Sequence, residues 1–265
     1  MSRLEKSFKA LAAAGKKALV PYLCAGDPSL ADTVPMMHAL VQSGATAIEL
    51  GMPFSDPMAD GPVIQRASER AIANGADLDY VFECVKAFRK TDAETPVVLM
   101  GYANPVEYKG QEAFIAAAKE CGADGILIVD YPFDEVPEFY AGVKAAGMDP
   151  IFLLAPTSAE KRVAQVCELA TGYLYYVSLK GTTGAGTLDV DSVRENVKRI
   201  EKHAKCPVLV GFGISNGEAA RAVAKACDGV IIGSALIKHV TANVARAPEA
   251  AGEWIAEIRK ALDAA

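Results

Sequence analysis

Eight short apolar runs, each followed by a turn and a helical stretch, constrain the fold of this chain most strongly. The runs are continuous and rich in β-branched residues, which is typical of strands that are covered on both faces. They lie at 18–23, 46–50, 96–102, 125–130, 150–155, 173–179, 207–213 and 228–235. Eight such units within 265 residues predict an α/β fold, a single-domain (β/α)8 TIM barrel over residues 1–265. An open doubly wound sheet is the alternative, but it does not require the eightfold count.

Additional helices are predicted at both ends of the chain. Leu4, Phe8 and Leu11 have helical spacing, which predicts an N-terminal amphipathic helix that closes the bottom of the barrel. After the last strand, Ser234 begins a short extra helix, and a further helix is expected near 247–263. No linker and no change of composition indicates a second domain.

Composition and charge exclude several classes of function. The net charge is −6 and the basic residues are scattered, so no nucleic-acid partner is expected. No run approaches the ~18 apolar residues of a membrane span, and the N-terminus lacks the apolar segment of a secretion signal. The six cysteines form no CxxC pair and the three histidines lack metal-ligand spacing. We therefore expect reduced thiols, a cytoplasmic location and no metal site.

Two carboxylates lie where a barrel places its chemistry, which is at the carboxyl ends of strands and in the loops that follow. Glu49 lies near the end of the second run, where burial raises the pKa of a carboxyl group and lets it exchange protons near neutral pH. Asp60 follows in a loop that Pro53, Pro57 and Pro62 keep from forming a regular helix. The residues alone leave other roles open: Glu49 as a structural acid, and Asp60 as the N-cap of the next helix.

Three glycine turns follow the last three runs, at 180–186, 211–215 and 233–235. Glycine lets backbone amides approach a ligand closely, and the amides at the start of a helix favour an anion. Many barrels bind phosphate at the loops after strands seven and eight. The turns therefore predict a phosphate site, with ordinary turn glycines as the alternative.

Motifs along the whole chain resemble the tryptophan synthase alpha chain family. The most specific is ELGMPFSDPMADGPVIQ at 49–65, and the resemblance runs from about residue 3 to 260. It implies a lyase that cleaves indole-3-glycerol phosphate to indole and glyceraldehyde 3-phosphate in tryptophan biosynthesis. The reaction needs no cofactor, and pyridoxal phosphate is expected only in a partner beta subunit. The other matching motifs are AGDPS (25–29), GYANPV (101–106), VDYP (129–132), LAPT (154–157), YVSLKGTTG (176–184), VGFGIS (210–215) and GSALI (233–237).

The resemblance also implies roles for named positions. It makes Glu49 the acid at C3 of the indole and the base at the glycerol C3′ hydroxyl. It makes Asp60, kept ionised, the acceptor of the indole N–H hydrogen bond. It also implies three groups of substrate-binding positions. Around the indole and glycerol are Tyr22, Met100, Tyr102 and Tyr175, and on the loop after the sixth strand are Thr183 and Gly184. Around the phosphate are Gly184 again, Phe212, Gly213, Gly233 and Ser234.

By the same resemblance, the chain is expected to form an alpha2beta2 heterotetramer with the beta subunit. The contact surface is expected at the barrel mouth, and it includes the 53–60 loop and the turn near 104–105. A barrel that no longer catalyses and only binds a partner is an alternative, but the presence of both Glu49 and Asp60 argues against it.

The loop after the sixth strand departs from the family pattern. Family members often read SRAGVTG, whereas this chain reads SLKGTTG, with Leu179 and Lys180 in place of an Arg-Ala pair. Lys180 raises another alternative, a barrel aldolase that forms a Schiff base through a lysine. Its expected position just past the strand end favours a side chain that points to solvent.

Overall fold

Parallel strands form the barrel that the apolar runs predict. The computed structural model describes residues 1–178, 189–211 and 213–264. Neighbouring strands in the sheet follow the order β5-β4-β3-β2-β1-β9-β8-β7-β6. The strands are β1 (Ala18–Cys24), β2 (Ile48–Gly51), β3 (Val97–Gly101), β4 (Gly125–Ile128), β5 (Asp149–Pro150), β6 (Phe152–Leu154), β7 (Leu174–Val177), β8 (Val208–Gly211) and β9 (Gly229–Ile232).

The fifth run forms two strands, where the sequence predicts one. β5 pairs with β4 through Asp149 and Pro150, and β6 pairs with β7 from Phe152 onward. Pro150 has no N–H group to donate, but its carbonyl accepts a hydrogen bond of 3.2 Å from the Thr171 amide. The Ile151 amide between the two strands still donates to the Ile126 carbonyl at 3.0 Å. The strands therefore close into a ring through Ile151, and the eightfold prediction is confirmed.

Helices cover the outside of the ring. A continuous apolar core lies between them and the sheet, as expected for a parallel sheet covered by crossover helices. The helices of the described residues are α1 (Arg3–Ala13), α2 (Thr33–Gln42), α3 (Pro62–Ala73), α4 (Leu78–Arg89), α5 (Ala103–Lys109), α6 (Gln111–Cys121), α7 (Pro137–Ala145), α8 (Glu160–Leu169), α9 (Val190–Glu201), α10 (Gly217–Ala224), α11 (Ser234–Thr241) and α12 (Ala247–Asp263).

The additional helices lie where the sequence predicts them. In α1, Leu4 and Phe8 are buried and belong to the core inside the barrel. The Phe8 ring meets the ring of Tyr173 edge-on, with 5.8 Å between their centroids. The α1 helix thus supplies an apolar plug for the barrel interior. Beyond β9, α11 is the short extra helix and α12 the longer one.

All six cysteines are free thiols, and five of them are buried. Among the residues that the structure describes, no group of three or more His, Cys, Asp or Glu could hold a metal ion. Within the same residues, no helix is both long and apolar enough to span a bilayer.

Candidate active site

Glu49 projects into the barrel from the carboxyl end of β2. Ala47, two residues earlier, belongs to the core inside the barrel, and alternate residues of a strand face the same side. Glu49 pairs in register with Tyr22 of β1 and with Val98 of β3. Its side chain is 1% exposed. The strand geometry thus places a carboxyl group among the apolar side chains of the interior.

The two oxygens of Glu49 have different environments. Oε1 accepts a hydrogen bond of 2.5 Å from the hydroxyl of Tyr173, whereas Oε2 is buried and has no hydrogen-bond partner. Burial raises the pKa of Glu49 to about 8, against a smaller opposing effect of the Tyr173 hydrogen bond. No Lys or Arg in the described residues forms an ion pair with Glu49. The group therefore holds a proton at neutral pH, and Oε2 is the oxygen free to transfer it.

Asp60 lies half-buried in the loop after β2. Its Oδ2 accepts a hydrogen bond of 2.8 Å from the Tyr102 hydroxyl, which in turn accepts one of 3.2 Å from the Ala59 amide. Burial raises the pKa of Asp60, and the Tyr102 hydrogen bond lowers it. The N-cap of α3 is Gly61, with Pro62 in the first turn and no side-chain cap. The capping role for Asp60 is therefore excluded.

Tyr22 and Tyr175 face both carboxylates. Burial raises the pKa of each phenol well above its usual value, and the charges of Glu49 and Asp60 raise it further. The two tyrosines approach the backbone of neighbouring strands closely. A Cβ atom on Gly51 would lie 2.2 Å from the Tyr22 hydroxyl, and one on Gly211 would lie 2.3 Å from the Tyr175 hydroxyl. Two acids and two phenols thus meet at one end of the barrel.

Met100 and Tyr102 complete this end of the barrel on the β3 side. Met100, half-buried, packs against the core inside the barrel and also against the cluster that contains Tyr22. Tyr102 is 3% exposed, and its ring stacks at a tilt on Phe54, with centroids 5.5 Å apart. The structure thus gives Tyr102 a role that the sequence does not predict, which is to hold Asp60.

Two of the positions predicted to bind phosphate lie at the start of α11, and a third follows β8. Ser234 is the first residue of this helix and is exposed, and Gly233 is its N-cap. Gly233 lies beside Tyr22, because a Cβ there would be 3.5 Å from the Tyr22 Cβ. Gly213, after β8, is exposed and has a φ of 76°, a conformation that favours glycine. The free amides of the first helical turn suit an anion.

Comparison with known proteins identifies the family. The family model described as "Tryptophan synthase alpha chain" matches residues 8–265. The tryptophan synthase alpha chain of Ralstonia nicotianae is 56% identical over 265 residues, which cover 100% of both chains. That of Azoarcus sp. is 55% identical over 264 residues, covering 99% of this chain and 97% of the relative.

Solved structures agree with this result. The crystal structure of tryptophan synthase subunit alpha from Legionella pneumophila has a TM-score of 0.94 at 43% identity, with 100% of both chains covered. A crystal structure of tryptophan synthase from M. tuberculosis has a TM-score of 0.88 at 32% identity, covering 99% of this chain and 100% of that chain.

The chain belongs to the tryptophan synthase alpha chain family. It is an enzyme, a lyase that cleaves indole-3-glycerol phosphate to indole and glyceraldehyde 3-phosphate, the alpha reaction of tryptophan biosynthesis. The function expected from the sequence motifs is confirmed, as is the (β/α)8 fold.

Several predicted positions lie outside the described residues. They are Thr183, Gly184 and Phe212, together with Leu179 and Lys180, where the loop departs from the family pattern. The structure therefore brings together Glu49, Asp60 and the tyrosines, and it does not describe these five positions. The catalytic and binding roles of all the site residues stay predictions.

Tyr173 is the functional candidate that the sequence analysis missed. It is fully buried and donates to Glu49 across 124 positions of the chain. The sequence contains a signal for it, because Tyr173 lies just before β7, two residues before Tyr175, and alternate residues of an extended segment face the same side. The run was interpreted only as an apolar strand. The Tyr173 hydroxyl indicates a functional role only once its hydrogen-bond partner, Glu49 on β2, is known.

Proposed function

We propose that Glu49 and Asp60 together carry out the cleavage as an acid–base retro-aldol reaction. Glu49 moves the proton, and Asp60 stabilises the positive charge that develops on the indole nitrogen. One observation carries the proposal. Glu49 is a buried acid whose pKa burial raises to about 8, with one oxygen held by Tyr173 and the other without a partner among the described residues.

The reaction moves one proton in a closed cycle. Protonated Glu49 gives its proton to C3 of the indole, and the ring becomes an indolenine with a positive nitrogen. The Glu49 carboxylate then takes the proton of the glycerol C3′ hydroxyl, whose O–H electron pair becomes the second bond of the aldehyde C=O. The C3–C3′ bond breaks, its electrons return to the ring, and Glu49 is again protonated. A pKa of about 8 suits a group that must both give and take a proton near neutral pH.

Asp60 has the complementary task in this proposal. It accepts the indole N–H hydrogen bond and opposes the charge on the ring nitrogen, so it must be ionised when the ring is protonated. The Tyr102 hydroxyl supports this role because a hydrogen bond to the carboxylate favours the charged form. The two acids thus differ in environment as their tasks require.

The remaining substrate contacts follow from position. We propose that Tyr22, Met100 and Tyr175 enclose the indole and the glycerol above Glu49. Gly213, Gly233 and Ser234 bind the phosphate through backbone amides and the Ser234 hydroxyl. The exposed start of α11 supports this assignment.

The family is that of an alpha chain, which implies a beta partner. We propose that the two chains form an alpha2beta2 heterotetramer in the cytoplasm, and that pyridoxal phosphate belongs to the beta subunit. The alpha reaction includes no redox step, and Glu49 supplies both the acid and the base. We therefore propose that this chain, as a single domain, needs no cofactor of its own.

The test is a Glu49→Gln variant assayed with indole-3-glycerol phosphate, with and without a beta subunit. Glutamine keeps the acceptor for Tyr173 but carries no transferable proton. We expect turnover to fall by roughly 10³-fold or more while the fold is retained, since general acid–base catalysis contributes about 10²–10⁴-fold. Glu112→Gln, an exposed position on α6, is the matched control. Activity of Glu49→Gln within a few-fold of wild type would reject the proposal.

A further inference from the structure

A cleft of about 450 Å³ lies between α3 and α11, two neighbouring helices that both pack against β1. Val63 and Ile237 are the apolar residues at its centre, and Thr241 lies on the α11 side. Its volume falls within the range of small-molecule sites, which is roughly 300–1,000 Å³. The cleft can therefore accommodate a compact organic molecule.

Cations surround the cleft, and none of the described residues that line it is acidic. Arg66 of α3 and Lys238 of α11 are exposed on opposite walls, and neither forms an ion pair with a described residue. This local positive charge occurs on a chain whose net charge is −6. An anion that enters the cleft would meet two cationic groups that form no ion pair with a described carboxylate.

Arg70 is the third cation, and it is fixed in place. Its Nε and Nη2 donate to the buried carboxylate of Asp27 at 2.6 and 2.9 Å, and Nη2 also donates to the Thr241 hydroxyl at 3.3 Å. Arg70 thus joins the loop after β1, α3 and α11. It forms a fixed base for the cleft, beside the two exposed cations Arg66 and Lys238.

We infer that this cleft binds a small amphipathic anion, a free carboxylate or phosphate ester with an aromatic or aliphatic body. The apolar centre takes the body of the molecule, and Arg66 and Lys238 take the anionic group. Charge complementarity favours a free anion over a neutral ligand. The residues of this cleft are distinct from Glu49, Asp60 and the phosphate turns.

The position of the cleft gives ligand binding a consequence for the reaction. One wall, α3, begins at Pro62, two residues after Asp60, and the other wall, α11, begins at Ser234. A ligand between the walls changes the spacing of the two helices and so the distance between Asp60 and the phosphate site. The expected effect is on KM for indole-3-glycerol phosphate, and this part rests on the proposed function.

Binding is tested with 2-naphthoate, which has an aromatic body and a carboxylate, by calorimetry and by amide NMR shifts. 2-Naphthylmethanol lacks the charge and acetate lacks the body. We expect saturable binding of 2-naphthoate with shifts at Arg66, Ile237 and Lys238, weaker binding of the alcohol and none of acetate. Absence of saturation at millimolar concentration, or shifts confined to the barrel mouth, would overturn the inference.

The double variant Arg66→Gln/Lys238→Gln tests the role of charge. We expect its Kd for 2-naphthoate to rise about fivefold or more, since exposed charge pairs each contribute modestly. Arg221→Gln/Lys225→Gln makes the same change of net charge at two exposed positions, one on α10 and one at its C-cap, and should bind as wild type. Equal weakening in both double variants would show a non-specific charge effect and would contradict the inference.

Two further measurements separate this cleft from the catalytic site. The Glu49→Gln chain should bind 2-naphthoate with the wild-type Kd, and loss of binding would place the probe in the active site instead. With wild-type enzyme, 2-naphthoate should alter KM by at least about twofold, whereas Arg66→Gln/Lys238→Gln should show no such change. An equal change of KM in both would mean direct competition with substrate. The calorimetric result stands whether or not Glu49 proves to be the proton carrier.

Discussion

At the scale of single residues, environment decides what each carboxylate does. Glu49 lies among apolar side chains with one hydrogen bond to Tyr173, and the pKa of its carboxyl group rises to about 8. Asp60 lies half-buried in a loop with Tyr102 as its donor. Both acids were predicted from position and resemblance, but the phenols that hold them were not predicted in these roles. A hydrogen bond across the barrel depends on the register of the strands, and the local sequence pattern does not show that register.

The raised pKa of Glu49 predicts a pH-dependent stability. Below pH 4.5 the group is protonated in the folded and the unfolded chain, and Glu49→Gln should match wild type. As pH rises from 4.5 to about 8, the unfolded chain loses its proton first and the folded wild type becomes less stable relative to the variant. The gain for Glu49→Gln above pH 8 should reach a few kcal/mol, at about 1.4 kcal/mol per pKa unit.

Urea unfolding at several pH values measures this difference. Glu112→Gln serves again as the exposed control and should show no comparable trend. A constant difference in the free energy of unfolding between wild type and Glu49→Gln from pH 4 to 9 would mean that Glu49 titrates normally.

The pairing of Asp60 with Tyr102 predicts a graded response. Asp60→Asn should lower turnover by at least about 10²-fold, because a neutral amide cannot oppose the charge on the ring nitrogen. Tyr102→Phe removes the bond that lowers the pKa of Asp60, so its pKa should rise and the acidic limb of the kcat–pH profile should move to higher pH. Tyr108→Phe, at an exposed tyrosine, is the control on the isolated chain. If the acidic limb of the Tyr102→Phe profile stays at the wild-type pH, Tyr102 does not influence the ionisation of Asp60 during catalysis, and the prediction is wrong.

At the scale of elements, glycines in the strands make room for the tyrosines of their neighbours. The Tyr22 ring on β1 rests against Gly51 at the end of β2. Sequence patterns show both residues, but they do not show that the two are complementary. The division of the fifth strand at Ile151 was not predicted for a related reason, because hydropathy does not show which neighbouring strand each half of a run pairs with.

Gly51→Ala should therefore displace Tyr22 and reduce both stability and activity. A Cβ would lie 2.2 Å from the Tyr22 hydroxyl and 2.6 Å from the ring carbon that bears it. We expect a loss of about 1–3 kcal/mol, as for other overpacked cores. In the Gly51→Ala background, a second change Tyr22→Phe should restore only part of the lost stability, and Tyr22→Leu should restore more.

Gly142→Ala on α7 is the matched control. There the new Cβ meets only the end of the flexible Ile115 side chain, and the helix gains from alanine. A loss in Gly51→Ala no larger than that in Gly142→Ala, measured by urea unfolding, would contradict the close fit of Tyr22.

At the scale of the whole molecule, the repeat of apolar runs was sufficient to predict the barrel, because eight buried strands impose a pattern that local exceptions do not erase. The partner surface could not be read in the same way and came from resemblance alone. The structure adds an observation in its support. Met58 and Tyr108, which are 70% and 94% exposed, lie on or beside the two segments expected to contact the beta subunit.

Exposed apolar side chains at that mouth predict the effect of substitution on assembly. Met58→Ser and Tyr108→Ser should each weaken binding to a beta subunit about fivefold or more, since large apolar side chains contribute strongly to interfaces. Val244→Ser changes a side chain that is 52% exposed beyond α11 and is the control. Titration calorimetry measures the three affinities. Equal affinities for all three would place the interface elsewhere.

The protonation of Glu49 is the basis of the whole account, and NMR titration of glutamate side-chain carboxyl carbons measures it directly. The signal is assigned by its absence from Glu49→Gln. We predict that one glutamate titrates near pH 8 and that this signal alone is missing in the variant. A Glu49 signal that titrates near pH 4.5 would contradict the account, because the group would then hold no proton to give to the indole.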